Sequence, residues 1–319
     1  MNILALTGPI YLIIAAGYLS VRGGLFVLAE MRVLGKLVLH FCIPALVFRS
    51  LSQQHPRDVL NGIYLLAYAG GSLAVLFGAF LYARRLRHRA VPLAALQGLA
   101  MSASNSAFVG YPIAQQLVGP SAGVALALTM IVENLLMMPL ALALADSGTS
   151  EERWQRALAR SAAGLLKSPL ILAVLAGSLF ALLEIPQPDV FARTIQIVAT
   201  GATPVALFVV GGSLVGLSVG GMAREVGGLA LGKLLLHPLA VLAALWILPP
   251  VDPALRTAAV LFAASPMMSV LPVLAQKYHH DRYCAASLLV SIILSFVTIN
   301  ALLWALGALL GWVPSTLHT

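Results

Sequence analysis

Charge is scarce in this chain: Asp, Glu, Lys and Arg make up 9% of 319 residues, against roughly a quarter in a soluble domain. A water-facing surface cannot be assembled from so few charges. Cysteine is nearly absent too. Cys42 lies within an apolar segment and Cys284 follows a polar loop, which argues against a disulfide framework. The net charge of +8 comes without an aromatic-interleaved basic face, so nucleic acid is excluded as a partner. The start, Met1-Asn2-Ile3-Leu4, lacks a basic n-region, and no small-residue cleavage site precedes Val21. It is expected to be a first spanning helix and not a signal peptide. No Gly-x-Ser-x-Gly, Walker lysine loop or His-Glu-x-x-His is present, and no nucleophile is paired with a base. An enzyme is therefore not expected, nor a bound metal or cofactor.

What the chain has in quantity is apolar sequence, 60% of residues with a mean hydropathy of +0.96. It comes in blocks of helical length, not in the short alternating runs of an outer-membrane barrel. Candidate spans are 3–20, 32–51, 60–83, 91–117, 122–144, 165–184, 190–217, 226–248, 255–277 and 283–310. The expectation is an all-α polytopic membrane protein of about ten helices. Arg22, Arg32, Arg84, Arg85, Arg87, Arg89, Arg153, Arg156, Arg160, Lys167, Arg224, Lys277 and Arg282 fall on one side; Arg49, Arg57, Arg193 and Arg256 fall on the other. The positive-inside rule puts the first group in the cytoplasm and both termini outside, in a cytoplasmic membrane.

The longest polar stretch begins at Asp146, and its Glu151–Arg156 portion suits a short amphipathic surface helix. It divides the chain into a first five-helix repeat (1–145), a cytoplasmic loop (146–164), a second five-helix repeat (165–311) and an outside tail (312–319). An odd number of spans in each half makes the halves insert in opposite senses, the plan of an inverted repeat. Each half has a proline in its second helix, Pro44 and Pro204, and each interrupts its fourth helix.

Those interruptions carry the functional reading. The fourth segment holds Asn105, Ser106, Gly110, Tyr111 and Pro112; the ninth holds Ser265, Pro266, Ser269 and Pro272. Polar and helix-breaking residues at mid-membrane depth are costly unless the freed backbone faces a protein-lined cavity. Broken helices in matching positions of two halves point to a substrate site. New half-helices are expected to start with Pro112 and Pro272 in their first turns, aiming free N–H groups at a carboxylate. Asn105, Ser106, Ser265 and Ser269 are candidate further donors. Carbonyls ending the preceding half-helices would hold a cation or be paired internally.

Glu133 sits near the middle of the fifth helix, followed by Asn134. A carboxyl at that depth costs at least ~2.5 kcal/mol, so it should face the interior. It is a candidate proton carrier, with a structural hydrogen-bonded acid as the equal alternative, and Asn134 is a candidate substrate contact. Lys36 and His40, and again Lys233 and His237, lie four residues apart on one helix face. Both lysines are expected to snorkel to the cytoplasmic end, and both histidines to be packed and hydrogen-bonded. His279-His280-Asp281 reads as a solvated turn, and Met137-Met138 and Met267-Met268 as packing, with a place in the cavity lining as the alternative for the second pair.

Taken together, Gly8-Pro9 leading to Gly17-Tyr18, Pro44-Ala45-Leu46-Val47-Phe48, Asn105 through Pro112, Thr203-Pro204-Val205-Ala206-Leu207 with Gly211-Gly212-Ser213-Leu214, Ser265-Pro266, Val270 through Tyr278, and Ser291 through Ser295 with Thr298 run in an order that resembles the auxin efflux carrier family. The likeness covers essentially the whole chain and is strongest to the bacterial branch of malonate- and malate-permease-like proteins, relatives of the plant auxin transporters. It implies ten helices in two inverted repeats, like those of bile-acid symporters and sodium–proton antiporters. It also implies a scaffold on helices one, two, six and seven and a crossover near Pro112 and Pro272. A small carboxylate is the implied substrate, with Asn105 and Asn134 in contact with it. The short central loop lacks the long insert of many plant relatives, and the Pro266–Pro272 spacing departs from the plant pattern.

The function expected is secondary transport of a small organic anion (malonate, malate or an auxin-like acid) by elevator-like alternating access. Coupling to a proton or sodium, and a homodimer, go with that expectation. Two alternatives stay open: a cation-coupled carrier of another substrate, and a membrane receptor or scaffold that binds a ligand without moving it.

Overall fold

A computed structural model describes residues 3–53, 61–147 and 168–310, and these are helical apart from short connections. Nearly all of the expected cytoplasmic loop, its amphipathic portion and the expected C-terminal tail lie outside the described residues. The first helices are α1 (Ile3–Arg22), α2 (Leu28–Leu37) and α3 (Ile43–Ser52), the last two joined through a wider π turn, Val38–Cys42. Next are α4 (Gly62–Leu81), α5 (Val91–Ser102), a π turn at Ser106–Gly110 and α6 (Tyr111–Val118). Then α7 (Ser121–Ile131) runs through the π turn Val132–Met137 into α8 (Met138–Asp146). The remaining helices are α9 (Pro169–Leu182), α10 (Asp189–Thr200), α11 (Ala202–Ser213), α12 (Ala223–Ile247), α13 (Pro253–Ala264), α14 (Leu271–Gln276) and α15 (Asp281–Leu310).

Among the described residues six continuous stretches are long and apolar enough to cross a membrane: Leu28–Ser52, Gly62–Leu86, Ser121–Asp146, Asp189–Ser213, Ala223–Ile247 and Asp281–Gly307. Val91–Ser102, Pro169–Leu182 and Pro253–Ala264 are shorter apolar helices. The expected spans 32–51, 60–83, 122–144, 190–217, 226–248 and 283–310 coincide with the six long stretches to within a few residues, whereas 91–117 and 255–277 are each broken into two short helices. Large apolar side chains such as Leu12, Leu19, Leu66, Ile197, Trp246 and Trp304 are exposed around the outside. Apolar exposure on that scale suits hydrocarbon, not water.

Three of the four π turns among the described residues share one cause, the fourth being Tyr82–Leu86. Each of the three ends two residues before a proline: Pro44, Pro112 and Pro139. Proline donates no hydrogen bond, and its ring crowds the carbonyl four residues back. The residue just before the proline reaches one residue further instead, so Ile43 donates to the Val38 carbonyl, Tyr111 to Ser106 and Met138 to Glu133.

The helices sort into two packed groups. In one, α1 lies on α11, and α9 and α10 lie on α3. In the other, α4, α5, α12, α13 and α15 surround α6–α8 and α14. The pairing is reciprocal: α1, which opens the first half, packs on α11 in the second span of the second half, and α9, which opens the second half, packs on α3 in the second span of the first. The α1–α11 contact depends on missing side chains. A Cβ on Gly17 would overlap the Phe208 carbonyl, and one on Gly211 would overlap the Ile14 carbonyl. Small residues that let backbones touch are how helices associate in lipid, where no hydrophobic force draws them together.

Gly211→Val should therefore separate α1 from α11 and lower the melting temperature in detergent. Gly8→Val, whose Cβ would meet nothing within 4 Å, should leave it unchanged. Equal melting of the two variants would contradict this packing.

Candidate functional site

The break in the fourth segment falls at residues 103–105, between α5 and the π turn, and the break in the ninth falls between α13 and α14. The two cross. Ser104 and Met267 form an isolated antiparallel bridge, and the Asn105 N–H donates to the Pro266 carbonyl at 2.7 Å. The Asn105 amide nitrogen donates to Ser269 Oγ at 2.6 Å. Each broken strand of backbone thereby satisfies part of the other. Gly110 permits the close approach, since a Cβ there would sit 2.7 Å from the Phe262 ring and 2.8 Å from Ser265 Oγ.

Pro112 and Pro272 each lie in the first turn of an α-helix, α6 and α14, but ahead of Pro112 a π turn adds to the winding. The half-helix it belongs to already begins at Ser106, where Val109 and Gly110 donate to the Asn105 carbonyl. The π turn absorbs the missing proline donor, so the helix extends back to the crossing point.

Glu133 enters the crossover from the middle of the fifth segment and is 2% exposed. It accepts from the Ser104 N–H at 2.9 Å, from Ser106 Oγ at 3.0 Å and from the Tyr68 hydroxyl at 3.0 Å. A negative side chain thus sits where a half-helix begins and its backbone donors are free. Tyr68 is held in turn by parallel stacking on Tyr64, whose hydroxyl bonds Thr129 at 2.7 Å.

The opposite charge arrives from α12. Lys233 is fully buried, not snorkelling as its sequence context suggested. It lies ten residues into α12, about 15 Å from the helix start at 1.5 Å per residue, too deep for its side chain to reach water. Its ammonium has three donors and finds three acceptors: Ser104 Oγ at 2.6 Å, His237 Nδ1 at 2.6 Å and the Ala263 carbonyl at 3.0 Å. Ala263 belongs to the last turn of α13, whose carbonyls the second break leaves free. The cation is therefore internal. With His237 Nδ1 accepting, its Nε2 is the donor toward Ser72 Oγ at 2.8 Å. Ser104 links the two charges, giving its N–H to Glu133 and accepting from Lys233 through its hydroxyl.

Of the residues singled out from sequence, Asn105, Ser106, Pro266, Ser269 and Glu133 converge on this crossing. Ser265 is buried beside it, but its hydroxyl bonds the Leu261 carbonyl of its own helix. Asn134 likewise turns its amide nitrogen to the Met130 carbonyl at 2.9 Å. Tyr111 and Pro112 lie further along and line a cavity of about 420 Å³ between α3, α6 and the α10–α11 junction. His237 is packed and bonded, as expected. His40 is exposed, with Nδ1 on the Lys36 carbonyl. Both Met267 and Met268 are buried packing residues, and both cysteines are buried and free. Ser104, Tyr68, Ser72 and the role of Lys233 were missed. The signal for Lys233 was its spacing to His237 inside a long apolar helix.

A family described as "Membrane transport protein" matches residues 3–303. The chain belongs to this family of auxin efflux carriers. A Rhizobium meliloti (strain 1021) protein named "Putative malonate transporter" is 29% identical to it over 99% of both chains. The "Uncharacterized transporter YfdV" of Escherichia coli (strain K12) is 24% identical over 73% of this chain and 75% of its own. The chain is a multi-pass membrane transport protein.

Removing Lys233 leaves a carboxyl, a helix-end carbonyl and a hydroxyl without their cation. Lys233→Met should cost about 3–5 kcal/mol of stability, read as a lowered unfolding midpoint in detergent. Adding Glu133→Gln should recover part of the loss. Additive losses in the double variant would mean that the two charges are not coupled.

Proposed function

We propose that this carrier moves a small carboxylate across the cytoplasmic membrane by alternating access at the crossover of its two broken helices. The observation that carries the reading is the crossing itself, in which Asn105 is bonded to both Pro266 and Ser269. A pair of interrupted helices at mid-membrane depth is an arrangement suited to bind and release a solute. The name of the Rhizobium meliloti relative makes malonate the first acid to try.

On this reading the chain crosses the membrane ten times as two inverted five-helix repeats, with both termini outside. The reciprocal packing of α1 on α11 and α9 on α3 supports the repeat. The α1, α3, α9, α10 and α11 group is the fixed scaffold, with Pro44 and Pro204 marking matched interruptions in its long helices. The α4–α8 and α12–α15 group carries the substrate past it, and two copies pair through the scaffold. Asn105 and Ser269 contact the acid, with Ser106, Gly110, Tyr111, Pro112, Ser265, Pro266 and Pro272 shaping the path and Asn134 turning toward it in another state of the cycle.

Glu133 is the group we assign to proton coupling. It faces Tyr68, Ser104 and Ser106 directly, with Lys233 and His237 beyond Ser104. Charge makes coupling consequential, because each negative charge moved inward against an inside-negative potential costs about 2.3 kcal/mol per 100 mV. Export can be driven by the voltage alone; import of a dianion needs coupled cations or a steep substrate gradient.

Purified protein in liposomes on a solid-supported membrane, given malonate, malate, succinate and indole acetate in turn, tests this. A saturable current for one acid, lost in Asn105→Ala, is expected. Binding without current would favour a receptor. A current whose dependence on pH is the same in wild type and Glu133→Gln would remove Glu133 from the coupling.

A further inference from the structure

The cavity between α3, α6 and the α10–α11 junction has a composition of its own. Its volume is about 420 Å³, within the range of small-molecule sites. Its floor is Tyr111 and Pro112, and its walls carry Arg49, Gln53, Gln115, Gln116, Thr200 and Thr203. Among the described residues of the lining, Arg49 is the one strongly basic side chain and none is an acid. Among the described residues no carboxylate lies within ion-pair distance of the Arg49 guanidinium, whereas Arg89 and Lys277 each have one. Amides and hydroxyls from three elements thus converge with a half-buried guanidinium on a space that belongs to neither helix group alone.

Position near the end of α3 accounts for part of this. A cation in a last turn complements the helix dipole, and an arginine near a helix end snorkels to water. Neither reason brings amides and hydroxyls from the opposite wall to the same space, nor withholds an acidic partner. A guanidinium can grip a carboxylate through two parallel hydrogen bonds. Pro112 lies seven residues beyond Asn105, about 10 Å along a helix, so the cavity is a separate station from the crossover amide.

Resting on the transport reading above, we infer that this cavity is a loading site for small carboxylates, in which Arg49 clamps one carboxylate before the acid reaches the crossover. The Gln115 amide and the Thr203 hydroxyl hold its other polar end, since Thr200 and Gln116 already donate to the Gln196 and Pro112 carbonyls of their own helices. Arg49 sets the affinity of capture, while Asn105 acts at the later step.

Two measurements test it on the intact protein in liposomes. Malonate-evoked currents are compared for wild type, Arg49→Gln, Arg49→Lys and Arg193→Gln, the last removing an exposed cation outside the lining. Arg49→Gln should raise the half-saturating concentration about tenfold or more and change the maximal current much less. Arg49→Lys should fall between, and Arg193→Gln should match wild type. An unchanged half-saturation in Arg49→Gln, or an equal rise in Arg193→Gln, overturns the clamp. The second measurement uses wild type alone: malonate should protect Arg49, and not Arg193, from phenylglyoxal, read by mass spectrometry. Absence of protection overturns the loading site whatever the currents do. Protection in a protein that carries no current leaves the site standing and removes the transport reading instead.

Discussion

Backbone groups released by a broken helix have nowhere to go in hydrocarbon, and each unsatisfied one costs several kcal/mol. Two breaks at the same depth double the difficulty and also supply the remedy. The Asn105 N–H takes the Pro266 carbonyl, and the remaining ends are closed by side chains of matching sign. Glu133 takes the N–H of Ser104 at the start of one half-helix. Lys233 takes the carbonyl of Ala263 near the end of another. Neither charge would be tolerable alone at that depth. With Ser104 between them, each lies close to its opposite. The rest of the fold follows from holding this arrangement: α4 brings Tyr68 and Ser72, and α12 brings Lys233 and His237 on one face.

A site built in this way is rigid in its interior. The polar groups at the crossing are committed to one another, and on the proposed transport reading motion belongs to the boundary between the two helix groups. There the contacts run through α3 with α7, α1 with α6, and α11 with the Ser106–Gly110 turn, and there the polar cavity opens. Family membership and the packing agree that this is a membrane carrier.

Much of this was legible in the sequence, for reasons that can be named. Apolar blocks of helical length located the helices, because hydrocarbon imposes one strong requirement on every residue that meets it. The Asn105–Pro112 and Ser265–Pro272 stretches stood out because helix breakers between apolar flanks are expensive. Pro112 and Pro272 do open α6 and α14, but the π turn that carries the winding back from Pro112 to Ser106 leaves no composition of its own. Lys233 misled, because its distance from the helix end decides between snorkelling and burial, and that boundary is among the least certain features of a single sequence. Asn134 and Ser265 were chosen by residue type, whereas rotamer direction decided where their polar atoms went.

The three π turns ahead of Pro44, Pro112 and Pro139 bear on more than local strain. A π turn inserts one residue into the winding of a helix, and one residue is worth about 100° of rotation. Across each turn the side of the helix that faced one neighbour is handed to another. Glu133 in the turn and Pro139 beyond it therefore answer to different phases of what looks like one continuous helix. Such a helix acts as a joint between two azimuthal frames, which lets a single chain segment line a polar crossing over one part of its length and meet a different neighbour over the next.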